Sequence, residues 1–165
     1  EFLIREKYTN PNKLAINGGS HGGLVVGAAM TQRPDLFKVV ISEMGRLDMA
    51  SLDKYTSGIH HFDEYGNPNN KEEFESMLSY SPYHTIKEDV NYPTCLIITS
   101  ENDDRVPPFQ SYKFVARLQN RTTQKNPIYL KVNKSAGHSG NISSYEKWVK
   151  QKSEFYSFIW EYLNN

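Results

Sequence analysis

The chain has almost no cysteine, no excess of charge and no long apolar run. One of its 165 residues is a cysteine, Cys95, so an internal disulfide is excluded and a reducing, cytoplasmic setting is expected. Cys95 lies within TCLIITS, where the expected role is a buried, inert thiol. Nineteen basic residues balance nineteen acidic ones, which gives no support to nucleic-acid binding or to a polybasic membrane contact. No apolar stretch approaches the ~20 residues that a membrane-spanning helix needs. The opening residues, EFLIREKYTNPNK, read as the end of a helix running into an Asn-Pro turn, with neither a methionine nor a signal-peptide core. The chain is therefore expected to be a piece of a longer protein.

What is present is an alternation of strand and helix patterns. Leu14–Asn17, Lys38–Glu43, Thr94–Thr99 and Ile128–Val132 are short apolar runs that predict strands. Helices are predicted from Gly22 to Arg33, where Pro34 closes the pattern, over Pro107–Asn120, and from Ser144 to Tyr162. The last helix carries Trp148, Phe155, Phe158, Ile159 and Tyr162 at helical spacing, an expected core face. Between Gly45 and Tyr83 the chain reads as irregular, with KEEFESML as a short helix. Strands separated by helices predict an α/β fold, a mostly parallel sheet with helices on both faces.

The chemistry is concentrated around Ser20. Gly18-Gly19-Ser20-His21-Gly22 satisfies G-x-S-x-G and falls between a predicted strand and a predicted helix, the context that a nucleophile elbow requires. Glycines at Gly18 and Gly22 are expected to let strand and helix approach each other, with Gly23 and Gly27 easing the helix onto the sheet. The backbone N–H of His21, at the start of the helix, is placed to stabilise an oxyanion. By composition alone such a pattern occurs in about one chain in twenty of this length, so it needs partners to carry weight.

A serine hydroxyl needs a base, and the base needs an orienting acid. In the α/β-hydrolase arrangement both follow the serine, the acid first, each in a loop after a strand. The loop after Thr94–Thr99 supplies Glu101, Asp103 and Asp104, among which composition does not choose. The loop after Ile128–Val132 supplies His138 within Ala136-Gly137-His138-Ser139-Gly140. His21 belongs to the elbow, His84 reads as a surface residue, and the adjacent His60 and His61 lack metal-ligand spacing. No metal or cofactor is expected.

Taken together, NGGSHGGLVVGAA, QRPDLFKVVISEMG, DMASLDKYTSG, YSPYHTI, ENDDRVPPFQSYKF and AGHSG resemble the catalytic domain of the prolyl oligopeptidase family of serine peptidases. The resemblance implies a partial α/β-hydrolase fold in which residues 1–165 form the C-terminal portion of the catalytic domain. A β-propeller and the first strands of the sheet would lie elsewhere. It implies Ser20 as nucleophile, Asp103 as acid and His138 as base, with oligopeptides as substrates. Arg105 matches an arginine that holds a substrate carbonyl, while Val106 and Tyr65 match residues of the pocket for the residue before the cleaved bond. His61 falls where that pocket carries a tryptophan in proline-cleaving members, and Phe62, which follows it, is a candidate second wall. Cleavage after proline is the leading expectation. A preference for basic residues served by Asp63 or Glu64, an esterase or acyl-peptide hydrolase, and a non-catalytic remnant are the alternatives.

Overall fold

The computed structural model describes residues 1–140 and 144–164. Among them four strands, β1 (Ala15–Gly19), β2 (Val39–Glu43), β3 (Thr94–Ser100) and β4 (Ile128–Asn133), form one sheet in the order β1-β2-β3-β4. All three pairings are parallel, with Gly19 opposite Glu43, Ile41 opposite Leu96 and Ile97 opposite Leu130. Parallel neighbours require crossover connections. The helix α1 (Phe2–Arg5), a single turn, precedes the sheet. Next, α2 (His21–Gln32) joins β1 to β2. Between β2 and β3 lie α3 (Thr56–Ile59), α4 (Phe62–Tyr65) and α5 (Lys71–Tyr80). Finally, α6 (Phe109–Gln119) joins β3 to β4, and α7 (Tyr145–Asn164) follows β4.

The two-residue period of the strands sorts the core into two layers. Val40, Cys95, Ile97 and Ile128 face α2 and α6, packing on Val26, Met30, Phe114, Val115 and Leu118. Val39, Ile41 and Ile98 face α7 through Phe155, with Phe158, Ile159 and Tyr162 alongside. Each such side chain removed from water contributes about 1.5–3 kcal/mol, so the covering helices are required by the β-branched runs rather than added to them. Cys95 is fully buried in the first layer, where burial pushes its thiol far above the ordinary range, and its Sγ rests 3.0 Å from Met30 Sδ.

A third cluster packs against the first turn of α2 through Leu24. Leu24, Met49, Leu52, Tyr55 and Met77 are buried together, with Phe62, Tyr65, Tyr80 and Phe109 packed against them. This is the region that reads as irregular in sequence. It contains a 3-10 segment over Met49–Lys54 and the short helices α3 and α4, besides an α5 longer than KEEFESML. One-turn helices carry no periodic signal. They are set here by the cluster and by Gly58, where a Cβ would lie 1.9 Å from the Leu52 carbonyl oxygen.

Two other expectations are corrected. β1 runs to Gly19 rather than stopping at Asn17, because its register against Ser42 and Glu43 recruits both glycines into the ladder. Trp148 is not core; it is 42% exposed and stacks on Tyr145 at the start of α7.

Candidate active site

The elbow sits where β1 ends. Ser20 adopts φ 55° and ψ −116°, a backbone conformation that a residue with a side chain occupies only at a cost of about 1–3 kcal/mol. Tertiary contacts hold it there. The Ser20 N–H donates to the Glu43 carbonyl at 2.8 Å, and Gly23 and Leu24 donate back to the Ser20 carbonyl at 3.0 and 3.2 Å. The Ser42 hydroxyl donates to the Gly23 carbonyl, tying β2 to the first turn of α2.

The glycine requirement is sharper than the motif implies. A Cβ on Gly18 would stand 2.3 Å from the Gly22 carbonyl oxygen, and one on Gly23 would stand 2.5 Å from Gly45 Cα. Nothing lies within 4 Å of a Cβ on Gly22 itself. Close approach is therefore enforced at Gly18 and Gly23, not at Gly22, which corrects the expectation drawn from the motif. In the full-length protein, Gly18→Ala is expected to lower stability by about 1–3 kcal/mol, an overpacking cost. Gly22→Ala should hold or slightly raise it, since alanine favours the helix. Thermal unfolding of the two variants side by side checks this; equal transition temperatures would contradict it.

The candidate acid and base come from loops stitched to each other. Asn102 N–H donates to the Ala136 carbonyl at 3.0 Å, Glu101 N–H donates to the Asn133 carbonyl, and Ser135 N–H donates to the Glu101 carboxylate. This lacing presents His138 between the other two residues. One ring nitrogen, Nε2, lies 3.0 Å from Ser20 Oγ, and the other, Nδ1, lies 2.8 Å from Asp103 Oδ2. Asp103 is fully buried at its side chain, and its second oxygen accepts the N–H groups of Arg105 and Val106 at 3.0 and 2.9 Å. Those two bonds fix the carboxylate plane while the remaining oxygen orients the imidazole. Asp104 is exposed, and Glu101 is turned to Ser135. Of the three candidate acids, only Asp103 meets the histidine.

The remaining predicted residues divide. His21 opens α2, with its backbone N–H next to Ser20. Its exposed ring lies against Tyr65, with centroids 5.6 Å apart and planes 19° apart, and its Nδ1 is 2.5 Å from the Tyr65 hydroxyl. Burial pushes the Tyr65 hydroxyl above its ordinary value while Arg46 pulls it down. Val106 is buried beneath the Asp103 loop, and Arg105 is exposed beside it. His61 is half-buried, tilted against Tyr65 at 5.8 Å and bonded through Nδ1 to Glu64 at 3.0 Å. Phe62, partly buried, packs together with Tyr65 against the cluster around Leu24 and Leu52.

Sequence reasoning missed Arg46. It is 3% exposed, and its guanidinium carbon lies 5.2 Å from the centroid of the Tyr65 ring. A basic residue flanked by Gly45 and Leu47, three positions after the end of β2, is the signal the sequence carries.

Ser20 follows β1, Asp103 follows β3 and His138 follows β4, all at the C-terminal edge of one parallel sheet. That arrangement, with the elbow, defines an α/β-hydrolase catalytic fold. Residues 1–165 match the prolyl oligopeptidase family throughout, and the chain belongs to that family. A prolyl endopeptidase of Dictyostelium discoideum is 40% identical over 167 residues, covering 99% of this chain and 22% of the relative. A solved prolyl endopeptidase superposes with a TM-score of 0.94 at 40% identity, covering 99% of this chain and 24% of its own. Prolyl oligopeptidase B of Galerina marginata, solved with a 35-residue hydrolysis and macrocyclization substrate bound, superposes with a TM-score of 0.91 at 36% identity. It covers 99% of this chain and 23% of its own. The chain thus spans about 22% of the length of the curated relatives it matches.

Proposed function

We propose that the protein is a serine peptidase that hydrolyses oligopeptides through an acyl-enzyme, on the carboxyl side of proline. The observation that carries this is the hydrogen-bonded run from Ser20 Oγ through His138 to the buried Asp103. His138 takes the hydroxyl proton as Ser20 attacks the carbonyl, then returns it to the leaving amine. Water repeats the cycle to release the acyl group. Asp103 keeps the ring in the tautomer with its proton on Nδ1 and stabilises the imidazolium as it forms. The His21 N–H, at the head of a helix, is offered to the developing oxyanion. The exposed Arg105, beside the acid, is available to a substrate carbonyl.

The proline preference is supported by relatives named prolyl endopeptidases and by the aromatic Tyr65 beside the nucleophile, since an aromatic face meets a proline ring without polar groups to desolvate. The remainder of the catalytic sheet and a β-propeller are proposed as partners in cis. The length of the relatives and the position of β1 at one edge of the sheet support this. The test is to assay the full-length protein on matched peptides with Pro, Ala, Arg or Lys before the scissile bond. Proline should be preferred by about tenfold or more, an aromatic contact plus ring burial. A preference for Arg or Lys that Glu64→Gln abolishes would contradict it.

A further inference from the structure

Beside the proposed catalytic groups lies a buried cation, Arg46, with no ion pair among the described residues. The chain leaves β2 through Met44, at φ 46°, and passes the elbow so closely that Gly45 touches Gly23. The next side chain, Arg46, is thereby carried under Tyr65. Its guanidinium makes one long hydrogen bond, from one terminal nitrogen to Ser57 Oγ at 3.4 Å. Nε and the other terminal nitrogen are buried without a partner, and so is the hydroxyl of Tyr55. Tyr55 and Arg46 feel each other directly: burial pushes the Tyr55 hydroxyl up to about 12, and Arg46 is the largest charge acting on it in the opposite sense.

Among the described residues no acid is ion-paired with Arg46. Asp48 pairs through Oδ2 with Lys113 while its buried Oδ1 makes no hydrogen bond, Glu64 serves His61, and Asp103 holds His138 and two backbone N–H groups. A guanidinium cannot shed its charge, and each of its nitrogens only donates. Buried donors without acceptors are retained at a cost, which marks them as groups matched to something that arrives. What arrives must supply oxygen acceptors, and a planar carboxylate fits the fork of Nε and one terminal nitrogen. The connection to Ser20 is short: Ser20 is followed by His21, His21 holds Tyr65, and Tyr65 is stacked over Arg46.

We propose that Arg46, with Tyr55, is a specificity-determining pair that takes the carboxylate of a glutamate or aspartate at the residue before the cleaved bond. This rests on the reading of Ser20 as the nucleophile of a peptidase. It adds to a proline preference a second, anionic substrate class. The acidic side chain passes the edge of Tyr65 and replaces missing acceptors on Arg46, a gain that its amide isostere forgoes because the guanidinium then keeps an uncompensated charge.

The experiment compares kcat/KM of the full-length protein on peptides identical except for Glu, Gln or Pro before the scissile bond. Glu should exceed Gln by about tenfold or more, the worth of hydrogen bonds to a charged group. The ratio should fall towards one in Arg46→Met, fall in part in Tyr55→Phe and be partly kept in Arg46→Lys. The unmodified protein gives the decisive ratio even where a variant fails to fold. A ratio near one, with the proline peptide still cleaved, overturns this proposal and leaves the peptidase reading intact. A lowered melting temperature in Arg46→Met with an unchanged ratio also overturns it, giving Arg46 a packing role alone. Failure to cleave any peptide, together with no fluorophosphonate labelling of Ser20, overturns the peptidase reading and this proposal with it.

Discussion

Replacing Ser20 or His138 by alanine in the full-length protein is expected to lower kcat by about 10⁴- to 10⁶-fold, with little change in KM. The two losses should not multiply in the double variant. The reason is the geometry: Ser20 Oγ and His138 Nε2 are 3.0 Å apart and act on one proton, so removing either disables the same step. Fluorophosphonate labelling gives a second readout, which Ser20→Ala should abolish altogether. Additive losses, or a Ser20→Ala enzyme within tenfold of the unmodified one, would exclude an acyl-enzyme at this residue.

The second large effect separates two adjacent aspartates. Asp103→Asn should cost about 10⁴-fold in kcat, because an amide in that place favours the wrong imidazole tautomer. Its second oxygen accepts from Arg105 and Val106, so an amide nitrogen turned that way would also confront two donors. Asp104→Asn, at an exposed side chain, should stay within about twofold, as surface substitutions do. Steady-state kinetics on one proline peptide decides between them. Inactivation by Asp104→Asn with a harmless Asp103→Asn would reverse the assignment.

These two predictions also mark how far the sequence could be read. Ser20 was legible because an elbow needs glycines at fixed offsets between a strand and a helix, a local requirement that leaves a local trace. His138 was legible because it is the histidine that follows the last strand in a Gly-rich loop. Asp103 was not separable from Glu101 and Asp104 by its own neighbourhood; the resemblance chose it. The physical distinction, full burial against His138 with two backbone donors on the other oxygen, exists only once β3 and β4 are paired. Arg46 shows the same limit more strongly. In sequence it is one arginine among nineteen basic residues, and its burial under Tyr65 follows from the closeness of Gly45 to Gly23. The α3 and α4 turns were illegible because they are held by the cluster around Leu52 and Met77 rather than by helix propensity. Trp148 misled because periodicity places a residue on a helix face without saying how much of that face the sheet can cover.

The separation of the proposed nucleophile and base along the chain carries a consequence for the protein's life history. Ser20 and His138 are 118 residues apart, and the imidazole reaches the hydroxyl only across β2, β3 and β4 laid in register. Such a long-range contact forms late, after the loop-closure entropy of the intervening segments has been spent. A ribosome-bound chain would carry the serine long before the base existed, and so would be incapable of cutting itself or its neighbours during synthesis. The same dependence makes covalent capture of Ser20 a gauge of complete folding: any lesion that frees β4 would silence the hydroxyl while leaving the elbow itself in place.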